Sequence, residues 1–251
     1  MRRLWAALLI VLATVHTSIL GEAAEDPSAE EATITLDGAK ATYAGKITDP
    51  NVECFMDTVK GKKVSMLVIS SSGGEINAGM RMGEWVFDNQ VDVVVERMCM
   101  SSCANYVFPA GRNKTIRTNS IVAWHGSILQ EGGMSDADVR EKAIKAYAQL
   151  PENIRTNTAL DVMIDQAIQQ MREYRESSIV NQEQFFRKIG VDEYICRVGN
   201  EKYGAKDFFI LCVEDMARFG IRDVLGPKNY EDIDLTPFRR TGKSVEFIHL
   251  D

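Results

Sequence analysis

The chain has 251 residues, 45% of them hydrophobic and 26% charged, and a formal net charge of −7 at pH 7. This apolar share supports a packed core and excludes a disordered chain. The acidic balance excludes the basic face on which nucleic-acid binding depends, so no nucleic-acid partner is expected.

Residues 1–23 differ from the rest. Arg2 and Arg3 precede a nearly unbroken apolar run from Leu4 to Val15, and Gly21 and Ala23 put small residues at −3 and −1 of a cleavage site. This pattern reads as a secretory signal peptide cut after Ala23. Its apolar run is shorter than the roughly 20 residues a spanning helix needs. The expectation is therefore an exported protein, periplasmic or secreted, that meets a membrane only through an uncleaved signal segment. Export makes pairing expected among Cys54, Cys99, Cys103, Cys196 and Cys212, with one left over. Cys99–Cys103 would lock a local turn, and Cys196–Cys212 is the second candidate pair. The spacings match no zinc pattern and the histidines are only His16, His125 and His249, so no metal site is expected.

After the acidic residues 25–31, Ala32–Leu36 and Lys40–Ile47 alternate around Asp37-Gly38 and read as a β-hairpin. Asp49-Pro50 starts a helix to about Lys60, with Asp49 as N-cap. Val64–Ser70 is an apolar run suited to a strand covered on both faces. Ser70-Ser71-Ser72-Gly73-Gly74 follows, and then a helix over about 76–89. Such a turn presents backbone N–H groups to an anion. It lacks a Walker lysine and a G-x-G-x-x-G, so no nucleotide cofactor is expected. Val91–Glu96 is the next strand, Ser102–Ala110 a helix ended by Gly111, and Ser120–Trp124 a short strand ending at His125. Arg112, Lys114 and Arg117 read as a solvated turn.

A loop at Gln130–Gly133 leads into a helix from Met134 to Leu150, which Pro151 breaks. Residues 157–178 are amphipathic at helical spacing, with Leu160, Met163, Ile164, Ala167, Ile168, Met171 and Tyr174 on one face. Shorter helices are expected over 181–189 and 192–198, a strand over 207–211, a helix over 213–219 and a last strand over 220–225. Residues 226–251 read as a loosely packed polar tail.

The middle of the chain is thus β-α-β-α-β with short connections, which implies an α/β fold. Gly73-Gly74, Ser102 and His125 each fall just past the carboxyl end of a strand, where ligands bind in such sheets. Ser102, in the stretch Cys99-Met100-Ser101-Ser102-Cys103-Ala104-Asn105-Tyr106, would stand at a strand-to-helix turn with its hydroxyl exposed. A histidine near it can accept its proton.

Four segments together resemble the Clp-type serine peptidases. Ile69-Ser70-Ser71-Ser72-Gly73-Gly74-Glu75-Ile76-Asn77-Ala78-Gly79-Met80 is similar to their I-N-S-P-G-G-x-(I/V)-x-A-G-M stretch. Met100–Ala104 through Ala110-Gly111 is similar to their A-A-S-M-(A/G)…A-G nucleophile helix. Ile121–His125 is similar to their strand ending in the catalytic histidine, and Phe219–Val224 to their late Y-G-L-(I/V)-D-x-V segment. The order holds from about Lys40 to Val224, and the C-x-S-x-C form with a signal peptide looks more like an exported branch. The resemblance implies a ClpP/crotonase-type superhelix of repeated β-β-α units over 24–225. A helical insertion would occupy about 134–178, and 226–251 would be the tail.

The resemblance also implies a serine hydrolase, a peptidase acting on peptide or protein substrates and forming a homo-oligomer. Ser102 matches the nucleophile and His125 the general base, 125 − 102 = 23 residues apart. Ser101 is its neighbour, and a shift of one residue would exchange the two. Gly74 and Cys103 match the residues whose N–H groups form the oxyanion hole. Ser72 stands where the family has proline. The family's third member, an aspartate, has no clear counterpart; Asp192, Glu193, Asn200 and Asp207 are its candidates. Two other readings stand beside this one. The first is a catalytically silent scaffold that oligomerises through 157–178. The second is a thiol role for Cys99 and Cys103, disfavoured because C-x3-C lacks the C-x-x-C redox geometry.

Overall fold

The computed structural model describes residues 31–130, 135–155, 159–238 and 243–251. The expected signal segment, residues 131–133 of the expected loop and Met134, the expected start of the next helix, lie outside the described residues. The chain divides into two compact units, one of Glu30–Leu129 with Asn181–Asp251, the other including Gln130–Val180.

The first unit is built on a parallel-dominant sheet. β1 (Thr33–Asp37) and β2 (Lys40–Ala44) form the expected hairpin around Gly38, antiparallel with Leu36 opposite Ala41. β3 (Met66–Ser71) and β4 (Asp92–Met100) continue in parallel, then β5 (Lys114–Ile116) and β8 (Val224–Leu225), with β6 (Ile121–Ala123) also beside β4. Parallel strands need covered faces, and Leu67, Ile69, Val93, Val95, Ile121 and Val122 are all buried. Helices α1 (Asp49–Val59) and α2 (Ile76–Asp88) supply part of that cover. Phe55 of α1 sits edge-on to Tyr43 and to Trp85 at 6.0 and 5.0 Å. The N-cap of α1 is Thr48 rather than Asp49, because the Thr48 side chain accepts from Asn51 N.

β4 is longer than its apolar run suggests. Between Ile69↔Val95 and Ser71↔Cys99 it takes four steps to the two of β3, a bulge that absorbs Glu96 and Arg97, the latter at φ 68°. Before the bulge β4 pairs with β5, and after it with β6. Polar residues at a strand's midpoint are tolerated because a bulge turns them out of the ladder. The expected solvated turn after Gly111 is instead β5: Lys114 is buried and donates Nζ to Gly111 O at 2.7 Å. Arg112 pairs with Asp92, and Arg117 with Glu96.

The late segments also depart from expectation. β7 (Phe208–Leu211) forms as expected, but β9 (Val245–Ile248), inside the supposed loose tail, pairs with it in parallel. Tyr230 is buried and its hydroxyl accepts from Val122 N at 3.0 Å. Helix α5 (Val213–Arg218) follows β7. Sequence periodicity does not register such contacts, since they depend on pairing with β7 and on Tyr230 reaching Val122, both remote in sequence.

In the second unit α3 (Asp136–Gln149) opens with a Ser135–Asp138 capping box, and its Val139 and Ala143 pack with Met163, Ile164 and Ala167. The latter belong to α4, one continuous helix over Leu160–Ile189 rather than the two expected. Nothing in Ser178–Asn181 breaks a helix. Among the described residues no helix is long and apolar enough to cross a membrane.

Gly79 and Gly83 of α2 let the segment after β4 approach closely. A Cβ on Gly83 would meet Tyr106 O at 2.3 Å, and one on Gly79 would meet the Tyr106 ring at 2.9 Å. Gly83→Ala is therefore expected to destabilise the fold by about 1–3 kcal/mol through overpacking, despite alanine's better helix propensity. Urea unfolding at constant m-value measures the loss.

Candidate active site

Three strand ends meet at one edge of the sheet. β3 leads to Gly73 and Gly74, at φ 93° and 149°. Positive φ is the reason glycine is needed at Gly73, and closeness is a second: a Cβ there would meet Met100 O and Ser101 Cβ, each at 2.6 Å. Ile47 bridges Gly74, donating to Gly73 O at 2.9 Å and accepting from Glu75 N at 2.8 Å. In a parallel bridge of this kind the partner residue turns its own peptide groups the other way. Accordingly, Gly74 O accepts from Ser102 Oγ at 2.7 Å.

β4 leads to Ser101, at φ 53°. A non-glycine residue in the left-handed region costs about 1–3 kcal/mol and persists only where surroundings hold it. Ser101 N donates to Ala123 O at 3.0 Å, and Ser101 O accepts from Asn105 N at 2.8 Å. The Cys99–Cys103 disulfide, with Cα atoms 5.1 Å apart, closes across the turn. The chain then enters a π-helix, Cys103–Val107, followed by a single turn at Phe108–Ala110.

β6 leads to His125. Trp124 and Phe209 exchange backbone hydrogen bonds at 2.9 and 2.8 Å, and the Phe208 ring lies 4.6 Å from the imidazole. Gly126 N donates to Cys196 O at 2.7 Å, and Asn105 Nδ2 donates to Gly126 O at 2.9 Å.

The histidine does not face the serine the resemblance selects. His125 Nε2 lies 2.7 Å from Ser101 Oγ. Ser102 is buried, 3% exposed, with its hydroxyl turned to Gly74. Ser101 and His125 are both half-buried, open enough for an external group to reach them. The π-helix accounts for the displacement. Phe108 N bonds back to Cys103 O, five residues earlier, where an α-helix spans four. Counting back from Ala110-Gly111 in α-helical register therefore lands one residue late. The residue after the histidine-paired serine is accordingly Ser102, not Cys103.

The second expected cysteine pair does not form. Cys196 is fully buried in the main core with its thiol pushed well up by burial, while Cys212 caps α5 and accepts from Asp215 N. Among the described residues no cluster of three or more His, Cys, Asp or Glu is placed to hold a metal ion.

Of the four candidates for a third member, Asp192 caps a 3-10 turn, Glu193 bonds Ser127 and Arg197, and Asn200 holds the carbonyls of Ala205 and Asp207. Asp207 directly precedes Phe208, whose ring packs on His125, and its charge interacts with that of His125. Its carboxyl is held below the ordinary aspartate range, first by the Ser244 N–H, then by the Ser244 hydroxyl, with Lys243 and His125 adding to the effect. Ser244 N and Oγ donate to Asp207 Oδ2 at 2.8 and 3.0 Å. No sequence signal marks Ser244, because its role depends on β9 pairing with β7.

No family model matches the chain, and no curated protein matches it. Among solved structures it is similar to a mutant of ClpP1 from Listeria monocytogenes, with 16% identity and a TM-score of 0.33. That similarity covers 48% of this chain and 79% of the other.

A carboxyl with a depressed folded-state pKa stabilises the fold above its unfolded value, about 3.9, and loses that contribution as the pH falls through the lower folded value. Ser244→Ala removes one of the two Ser244 bonds, so the Asp207 carboxyl should titrate higher. Asp207→Asn should flatten this part of the stability–pH curve. Urea titrations of the three proteins between pH 7 and pH 3 test both.

Proposed function

We propose that the chain is an exported serine hydrolase, a peptidase acting by acyl transfer with Ser101 as nucleophile and His125 as general base. The observation that carries this reading is the 2.7 Å approach of His125 Nε2 to Ser101 Oγ at a strand-to-helix turn of positive φ. A serine hydroxyl is a poor nucleophile until an imidazole in hydrogen-bond reach takes its proton. In the proposed reaction Ser101 Oγ attacks a carbonyl carbon as its proton passes to Nε2. The tetrahedral oxyanion then rests on the N–H groups of Gly74 and Ser102, each such donor worth roughly 3 kcal/mol. The imidazolium returns its proton to the leaving amine, and water repeats the sequence on the acyl-enzyme. Asp207 is the carboxylate whose charge favours the imidazolium.

Within the same reading the sheet and its helices belong to a Clp-like superhelix of β-β-α units. Export is supported by the Cys99–Cys103 bridge, which persists in oxidising compartments. Assembly of copies through the helical unit is supported by exposed Ile144 and Val162. Peptides or proteins are the proposed substrates, following the resemblance of the four segments to Clp-type serine peptidases.

A fluorophosphonate probe tests the reading, since it phosphonylates an activated serine. Ser101→Ala is expected to abolish labelling, His125→Gln to slow it about 100-fold or more, and Ser102→Ala to leave it within about 10-fold, as for loss of one neutral hydrogen bond. Labelling lost in Ser102→Ala but kept in Ser101→Ala would overturn the assignment. A wild-type protein that never reacts would overturn the hydrolase.

A further inference from the structure

The segment that carries Ser101 and the loop that follows His125 are joined by a polar chain, buried at one end and half-buried at the other, that the acyl-transfer chemistry does not use. Tyr106, fully buried in the π-helix, donates its hydroxyl to Gln182 Oε1 at 2.5 Å. Gln182, fully buried on α4, donates Nε2 to Glu193 Oε1 at 3.1 Å. The Ser127 hydroxyl, two residues past His125, donates to the same Glu193 oxygen. The other oxygen, Oε2, accepts from Arg197 Nε at 3.0 Å, and Arg197 Nη1 reaches Glu201 at 2.5 Å.

A carboxylate whose side chain is only 14% exposed is costly to keep charged. Apolar residues would fill the same space at less cost. Apolar packing, however, does not fix direction, whereas hydrogen bonds to one oxygen hold two donors at set angles. Here one donor leads to the serine's helix and the other to the histidine's loop. We propose that Glu193 is a positioning residue that sets the Ser101–His125 approach by tying Ser127 on one side and Gln182–Tyr106 on the other. This inference rests on the acyl-transfer reading for its effect on rate, but not for the coupling itself. A misplacement of about 1 Å between reacting groups costs on the order of 100-fold in rate, so a tether shared by both groups has leverage on catalysis.

The test uses the full chain with two readouts, the fluorophosphonate labelling rate at Ser101 and residue-resolved amide hydrogen exchange. Glu193→Ala is expected to slow labelling about 100-fold and to speed exchange about 10-fold or more both in 103–107 and in 126–129, leaving Leu67–Ile69 of β3 unchanged. Tyr106→Phe and Ser127→Ala, each removing one arm, should slow labelling about 10-fold, and together no more than Glu193→Ala does, because groups in one network are not additive. Glu193→Gln keeps an acceptor oxygen and should restore most of the rate. Exchange that rises equally in β3 marks a general loss of stability and overturns the proposal. So does a change confined to one of the two segments, or arms that act independently. If the wild-type protein does not react with the probe at all, the hydrolase reading fails, while the exchange pattern still decides whether Glu193 couples the two segments.

Discussion

The arrangement depends on one turn. At Ser101 β4 gives way to a helix through a left-handed residue, a conformation that L side chains adopt at a cost. Three constraints hold it there. The Cys99–Cys103 bridge closes over it, the ladder with β6 takes its N–H through Ala123 O, and Gly73 packs so closely that any side chain there would collide with it. Relaxing the turn would rotate the hydroxyl away from His125. The strain is thus local, and the compensation comes from one local bridge and two segments distant in sequence, at Gly73 and Ala123.

The histidine is placed by a comparable convergence. Phe208 packs on its ring, the Trp124–Phe209 bridge fixes the backbone beside it, and Asp207 puts a negative charge within its electrostatic reach. Asp207 is in turn held by Ser244, at the start of the strand that pairs with β7. The residues 243–248 therefore serve the candidate site although they lie far from it in sequence. The hydrogen-bonded chain through Glu193 connects the histidine's loop back to the serine's helix.

Much of the fold was legible because it rests on local chemistry. The hairpin at Gly38, the apolar run of β3, the Gly-Gly turn and the strand ending at His125 all announce themselves by composition and spacing. What escaped depended on pairing. Glu96 and Arg97 hid the second half of β4, since a bulge makes polar residues tolerable inside a strand. Lys114 read as solvated but is buried with a carbonyl partner at Gly111. The region after Gly226 read as a tail, because a long stretch with many charged residues and two prolines precedes Val245 and only the pairing with β7 gives β9 its place.

The sequence by itself determined the residue types of the site and the sheet edge where they gather: the paired glycines, the adjacent serines, the cysteines around them and the one histidine of that region. These follow from strand-to-turn periodicity, which is a local property of the chain. Only the tertiary structure decided which serine meets the histidine, because a π-turn takes up one residue and no periodicity at the level of composition records it. Only the tertiary structure, too, set Asp207 near His125 and left Cys196 and Cys212 apart. Those relations arise where segments separated in sequence are packed against one another, and a sequence carries no distance between them.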